Sequence, residues 1–194
     1  MGYYIQENCL NFNTTRPQTE APADTREGFA TLYDRHYAAV YNYARARVGD
    51  ADLADDLTSQ IFEKALRSYQ TFDPARGNFN AWLMAIARNT VINHWRSSPP
   101  GRSAPLDALA EPASPAPTPK EAVIHREKNL ALLQALRQLD DRSRDLVALK
   151  FFARLTNREI AGIAGLTESN VGVILYRALH DLQRILEKEA PDGR

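Results

Sequence analysis

Apolar residues recur at steps of three and four along two stretches of this chain, 29–96 and 120–194, and both read as helical. In the first, Phe29, Leu32, Tyr33, Tyr37, Val40, Tyr41, Ala44 and Val48 form one stripe. Gly49 ends that stripe as a helix C-cap does. Asp50 or Asp52 caps the next helix, whose face is Leu53, Leu57, Ile61, Ala65, Leu66 and Tyr69. Residues 72–78 hold Pro74, Gly77 and Asn78 and read as a loop. A third helix turns Phe79, Trp82, Leu83, Ile86, Ala87, Thr90 and Val91 inward. Its other side shows Asn80, Arg88, Asn89, Asn93 and Arg96, with His94 and Trp95 beside them.

The second stretch starts with a face of Ile124, Leu130, Leu133, Leu136 and Leu139, and Asp140-Asp141 breaks it before a short apolar helix from Leu146 to Phe152. The residues after Leu155 carry the sharpest local signals. Thr156 and Glu159, three apart, make a capping box. Ile160, Ala161, Ile163 and Ala164 give a short helix, Gly165 supplies a tight turn, and Leu166 plugs the core beneath it. Thr167 caps a second helix bearing Val171, Ile174, Leu175, Ala178, Leu182 and Ile185. Capped helix, glycine turn and capped helix at this spacing predict a helix-turn-helix. Its second helix presents Glu168, Ser169, Asn170, Gly172, Val173, Tyr176 and Arg177 outward, where a recognition helix meets the major groove.

The expected fold is all-α: two small helical domains joined by a linker. Residues 97–119 hold seven of the eleven prolines, so neither a helix nor a central strand is expected to run through them. A semi-flexible tether of that length spans roughly 26 Å, with a stretched limit of about 70 Å. Residues 1–28 are polar and read as a loose arm. Of the 194 residues, 24 are Lys or Arg and 24 are Asp or Glu, so the net charge is zero. That argues against a protein that coats nucleic acid by charge alone. The single cysteine, Cys9, excludes an internal disulfide and a cysteine zinc site. His36, His94, His125 and His180 stand at no ligand spacing. Neither a nucleophile motif nor a Gly-rich phosphate loop is present. These readings predict no metal, no cofactor and no enzyme. With no apolar run near 18 residues and no basic-then-apolar start, the expectation is a cytoplasmic chain without membrane insertion.

The two helical stretches, taken together, resemble the extracytoplasmic-function (ECF) group of sigma-70-type transcription initiation factors. Phe29 to Gly49 resembles region 2.1, and Asp52 to Phe62 resembles region 2.2. Phe72 to Trp95, above all Asn80-Ala81-Trp82-Leu83-Met84-Ala85-Ile86-Ala87-Arg88-Asn89, resembles regions 2.3 and 2.4, and Leu139 to Leu186 resembles region 4. The resemblance implies a contact with RNA polymerase core (the β′ clamp and β flap), made in region 2.2 by Leu53, Asp55, Asp56, Leu57, Gln60, Ile61 and Phe62. It implies that Asn78, Phe79, Asn80, Trp82, Arg88, Asn89, Asn93, Trp95 and Arg96 open and read the −10 element of promoter DNA. The −35 element falls to Thr167, Glu168, Ser169, Asn170, Gly172, Val173, Tyr176 and Arg177. An anti-sigma factor is a further implied partner. The chain departs from the family pattern at Ser59-Gln60, where Gln-Glu is common. It departs again at Gly172-Val173-Ile174, where a basic residue, a small polar residue and Arg are common, which removes phosphate contacts.

Elementary energetics agree with a borrowed grip on DNA. Stacking on an aromatic side chain gives about 1–3 kcal/mol per base. Opening about ten base-pair steps at roughly 1.4 kcal/mol each costs on the order of 14 kcal/mol. A small neutral domain cannot cover that alone, so a partner must hold the melted strands. Asn78 and Asn80 beside Phe79 are candidates for a pocket that takes a base out of the stack. The linker reaches sites one and a half helical turns apart, roughly 50 Å. Each signal also has a plainer reading: Phe79, Trp82 and Ile86 as core, Asn80, Arg88 and Asn89 as a solvated face, Asp55 and Asp56 as partners of the helix dipole. Two other functions are compatible with parts of the chain. One is a stand-alone helix-turn-helix regulator that binds duplex DNA unaided. The other is a paralogue that retains only protein contacts.

Overall fold

Every regular element in the described part of the chain is helical. The computed structural model describes residues 26–97 and 119–189. The arm expected over 1–28 and the linker expected over 97–119 lie outside them, except at their edges, where helix already covers 26–28, Ser97 and Pro119.

Helix α1 (Arg26–Val48) ends at Gly49, whose φ of 75° is the left-handed region that glycine enters without a Cβ clash. The Gly49 N–H donates to Arg45 O at 2.8 Å and closes the helix. Asp50 then caps α2 (Ala51–Ser68), accepting from Leu53 N at 2.7 Å. Two short 3-10 turns, Tyr69–Thr71 and Pro74–Arg76, make the loop. Asn78 Oδ1 accepts from Ala81 N at 2.7 Å and so caps α3 (Phe79–Ser97).

The inward face of α2 differs from the expected stripe. Ala54, Leu57, Thr58, Ile61, Phe62 and Ala65 are buried, while Leu53 is only half-buried and Leu66 is 50% exposed. The small side chains of Ala54 and Thr58 let α2 face its neighbours closely. Thr58 remains satisfied in that position by donating to Ala54 O at 2.7 Å.

The second group holds α4 (Pro119–Gln138), α5 (Asp141–Phe151), α6 (Asn157–Ala164) and α7 (Glu168–Glu189). Asp140 caps α5 by accepting from Ser143 N at 3.0 Å. The capping box at Thr156 and Glu159 is complete in both directions, and Gly165 closes α6 at φ 68°. Thr167 Oγ1 accepts from Asn170 N at 3.2 Å at the start of α7. Leu133, Leu136, Leu146, Leu149, Leu155, Ile160, Val171, Leu175 and Leu182 fill the space among these helices.

The two groups are packed on each other. From Val40 to Gly49 every residue of α1 and its cap is buried, although Asn42, Arg45 and Arg47 lie among them. A helix buried on all sides needs neighbours all round. Helices α2 and α3 cover one side of this segment, and α5 covers another; α6 also touches α3.

Candidate polymerase and nucleic-acid interfaces

The region 2.2 candidates split by burial. Leu57 and Ile61 are fully buried and Phe62 is 4% exposed, so these three hold α2 in place and do not reach a partner. This corrects the expectation that they touch polymerase; their stripe faces α1 and α3. Asp55, Asp56 and Gln60 are exposed, and Leu53 is half-buried. The same outer face carries Asp52, Ser59, Glu63 and Leu66, none of them among the sequence candidates. Their spacing of three and four with Asp55, Asp56 and Gln60 was the available signal. The result is an acidic stripe beside an exposed leucine. The Tyr37 hydroxyl, from α1, donates to Asp55 Oδ1 at 3.1 Å, and burial with the Asp55 carboxylate pushes its pKa up to about 12.

The −10 candidates divide three ways. Phe79 is 9% exposed and sits at the centre of an aromatic cluster. Its ring centroid lies 5.5 Å from Phe72, 5.3 Å from Trp82, 6.1 Å from Tyr69 and 5.3 Å from the His36 ring. Burial on this scale leaves no face for a base, so Phe79 is core, which corrects its place among the DNA contacts. Trp82 is half-buried against Phe72 and Phe79. Asn89, Asn93, Trp95 and Arg96 are exposed. Trp95 and Arg96 line an open groove of about 300 Å³ together with Ile92, Arg47 and Asp141.

The remaining three, Asn78, Asn80 and Arg88, meet the second group of helices. Asn80 Nδ2 donates to Ala153 O at 2.8 Å. The Asn78 side-chain amide donates to Glu159 Oε1. Arg88 Nε donates to Asp145 Oδ2 at 2.6 Å, and its Nη1 reaches Ile163 O at 3.4 Å. Asp145 is 4% exposed, and its other oxygen accepts from the Tyr43 hydroxyl at 2.7 Å. Arg47 Nε stands 3.4 Å from the same oxygen, while its Nη2 pairs with Asp141 Oδ1 at 2.8 Å. Burial, with the Asp145 carboxylate beside it, holds the Tyr43 pKa well above the ordinary tyrosine range, so the hydroxyl stays a donor. A buried carboxylate without such partners would be costly; here a tyrosine and two guanidinium groups surround it. Tyr43, Arg47 and Asp145 were not among the sequence candidates, because nothing local links positions 102 apart.

The recognition helix has the opposite character. Thr167, Glu168, Ser169, Asn170, Val173, Tyr176 and Arg177 are all exposed, and Gly172 is half-buried. Tyr176 is 74% exposed and Val173 is 45% exposed, one turn apart on the same face. Nothing lies within van der Waals contact of a Cβ added at Gly172 except Asn157 Nδ2 at 3.9 Å, so the helix surface there is open.

A helix-turn-helix with an exposed second helix, in one chain with a helical domain carrying Asn, Arg and Trp on one helix, is an arrangement suited to binding DNA. Comparison with known proteins narrows the class. Residues 32–98 match the family model for Sigma-70 region 2, and residues 129–182 match that for Sigma-70 region 4. The chain is 35% identical over 170 residues to the ECF RNA polymerase sigma factor BldN of Streptomyces coelicolor, covering 88% of this chain and 64% of BldN, just under two thirds of its length. It is 27% identical to the RNA polymerase sigma factor YlaC of Bacillus subtilis, covering 87% of this chain and 98% of that protein. Among solved structures, CnrH in complex with the cytosolic domain of CnrY shares the fold (TM-score 0.64, 23% identity, 86% of this chain and 92% of that one). So does RpoE of Bartonella quintana in complex with the anti-sigma factor NepR (TM-score 0.66, 20% identity, 87% and 100%). The chain belongs to the sigma-70 family, in its ECF group. No helix among the described residues is long and apolar enough to cross a membrane.

Proposed function

We propose that this chain acts in the cytoplasm as a dissociable promoter-specificity subunit of RNA polymerase. The outer face of α2, with Asp52, Asp55, Asp56, Gln60, Glu63 and Leu66, docks on the core enzyme. On α3, Trp82, Arg88, Asn89, Asn93, Trp95 and Arg96 read the opened −10 strand, with Asn80 at the same edge. On α7, Ser169, Asn170, Val173, Tyr176 and Arg177 read the −35 duplex. Asn and Arg suit base edges and phosphates, and exposed apolar groups such as Val173 suit thymine methyls.

The observation that carries this reading is the combination, in order along one chain, of the two matched sigma segments with an acidic exposed α2 and a solvent-facing α7. The chain itself performs no chemistry; polymerase makes the phosphodiester bonds. By analogy with RpoE, an anti-sigma factor is an expected regulator of this chain. The test is run-off transcription with purified core polymerase and a library of promoter fragments. Discrete, chain-dependent products are expected. Absence of any product, with tight binding of the isolated chain to a duplex operator, would replace this reading with a stand-alone regulator.

A further inference from the structure

We propose that Arg154, in the turn between α5 and α6, grips the phosphate backbone of the −35 duplex, so that the charge contact stands ahead of the helix-turn-helix and not on α7. This rests on the reading of α7 given above and adds to it a residue that the sequence did not single out.

Three observations meet at this turn. First, Arg154 has a φ of 56° and is the only non-glycine with a positive φ among the described residues. A Cβ costs energy in that region, and glycine takes it without strain, as at Gly49 and Gly165. The flanking residues impose the conformation. Ala153 N–H donates to Ala148 O at 3.3 Å and Leu155 N–H to Leu149 O at 3.2 Å, and both side chains are buried, at 1% and 2% exposure. Between these anchors Arg154 is exposed. The turn favours a glycine, and the chain puts a solvent-facing guanidinium there. Secondly, the turn leads into Thr156 and α6, the first helix of the helix-turn-helix. In this motif the first helix crosses the DNA backbone while the second enters the major groove. Arg158 is exposed in the first turn of α6, and the acid beside it, Glu159, is taken up by the capping box. Thirdly, the exposed face of α7 is poor in positive charge. From Thr167 to Arg177 only Arg177 is basic, and Glu168 is acidic. Ser169, Asn170, Val173 and Tyr176 suit base edges and methyl groups, but they neutralise no phosphate. A duplex contact draws its affinity from cations set against phosphates. The helix-turn-helix carries them at Arg154 and Arg158, ahead of its first helix and within it.

The grip is tested on the full chain bound to polymerase core, with promoter fragments selected by the run-off assay. Closed complexes are measured in the cold, where the strands stay paired and only duplex contacts count. Arg154→Gly removes the charge and gives the turn the residue its φ prefers, so its thermal melt should lie at or above that of wild type. Its complexes should nevertheless bind about fivefold more weakly, and the slope of log affinity against log salt should fall by about 1. Arg154→Lys retains the charge and should keep most of the wild-type slope. The loss in Arg154→Gly should be the same for promoters that differ in their −35 bases, because phosphates carry no sequence. Unchanged affinity and slope for Arg154→Gly overturn the proposal. So does an equal loss in Arg154→Lys, a loss confined to one −35 sequence, or a melt of Arg154→Gly lowered enough to account for the weaker binding. Failure of the proposed function shows separately, as run-off transcription absent for wild type and both variants alike.

Discussion

Helices α3 and α7 are both expected to read DNA, yet they meet the solvent differently. On α7, Ser169, Asn170, Val173, Tyr176 and Arg177 stand exposed. On α3, the outer half from Asn89 to Arg96 is open at Asn89, Asn93, Trp95 and Arg96, but Asn80 and Arg88 are engaged by Ala153, Asp145 and Ile163. The difference matches what the proposed reading asks of each helix. A recognition helix docks on a duplex that is already formed, so it can remain exposed. A helix that handles single strands meets its ligand only after melting. Until then its donors need other partners, and this fold supplies them from within. Substitutions in α7 are therefore expected to change DNA affinity with little change in stability, while changes around α3 should affect both.

The largest effect is expected beneath this contrast, in the core that positions α2 and α3. Leu57→Ala should destabilise the fold by about 2–5 kcal/mol, read from the urea midpoint, because Leu57 is fully buried. Asp56→Arg, one residue earlier on the exposed face, should leave that midpoint almost unchanged and reduce co-purification with polymerase core. A reversed pattern would return Leu57 to the contact surface.

His36 gives the next effect. Burial, with a contribution from the Arg35 charge, lowers its pKa to about 4, and the neighbouring Asn80 side chain only partly offsets this. The unfolded imidazole titrates near 6.5, so unfolding takes up a proton between those values. The stabilising contribution is fully present above pH 6.5 and is lost as pH falls toward 4, by roughly 3 kcal/mol. Urea titrations at pH 7.5 and 4.5 should show this loss, and His36→Gln should flatten it. Because His36 lies against Phe79 at the start of α3, the same acid range should loosen the α3 edge before α7.

On α7, Arg177→Ala and Tyr176→Ala should each cost about 1–3 kcal/mol of promoter affinity if they touch bases, confined to templates carrying the −35 element. Thermal melts should differ from wild type by little, since Tyr176 is 74% exposed. The smallest effect is Thr156→Ala, which removes the cap of α6 at a cost of about 1 kcal/mol in the melt. It should weaken −35 binding only through the orientation of α7.

Much of this was legible along the chain wherever atoms within four residues decide the outcome. The cap at Asp50, one of the two aspartates the spacing offered, the capping box at Thr156–Glu159 and the glycine ends at Gly49 and Gly165 stand where residue type and spacing predicted them, whereas Asp140, read as a break before a helix starting at Leu146, caps a helix that starts at Asp141. The inward face of α2 was less legible. The largest apolar residues pointed to Leu53 and Leu66, whereas the close approach of its neighbours selected the rotation that buries Ala54, Thr58 and Phe62. Likewise, the helical spacing of Phe79 favoured a core place over a stacking role without deciding it, and five aromatic or imidazole rings packed around one another settle it as core.

By itself, the amino-acid order determined the helices, several of their ends, the helix-turn-helix and the two sigma segments, because periodicity and capping are short-range. Only the tertiary structure decided that Asp145 lies buried among Tyr43, Arg47 and Arg88, and that α6 rests on α3. A carboxylate at a helix position looks the same in sequence whether it faces water or a guanidinium. Its role is settled by which helix arrives opposite it, here from positions 57 to 102 residues away, and no local rule encodes that arrival.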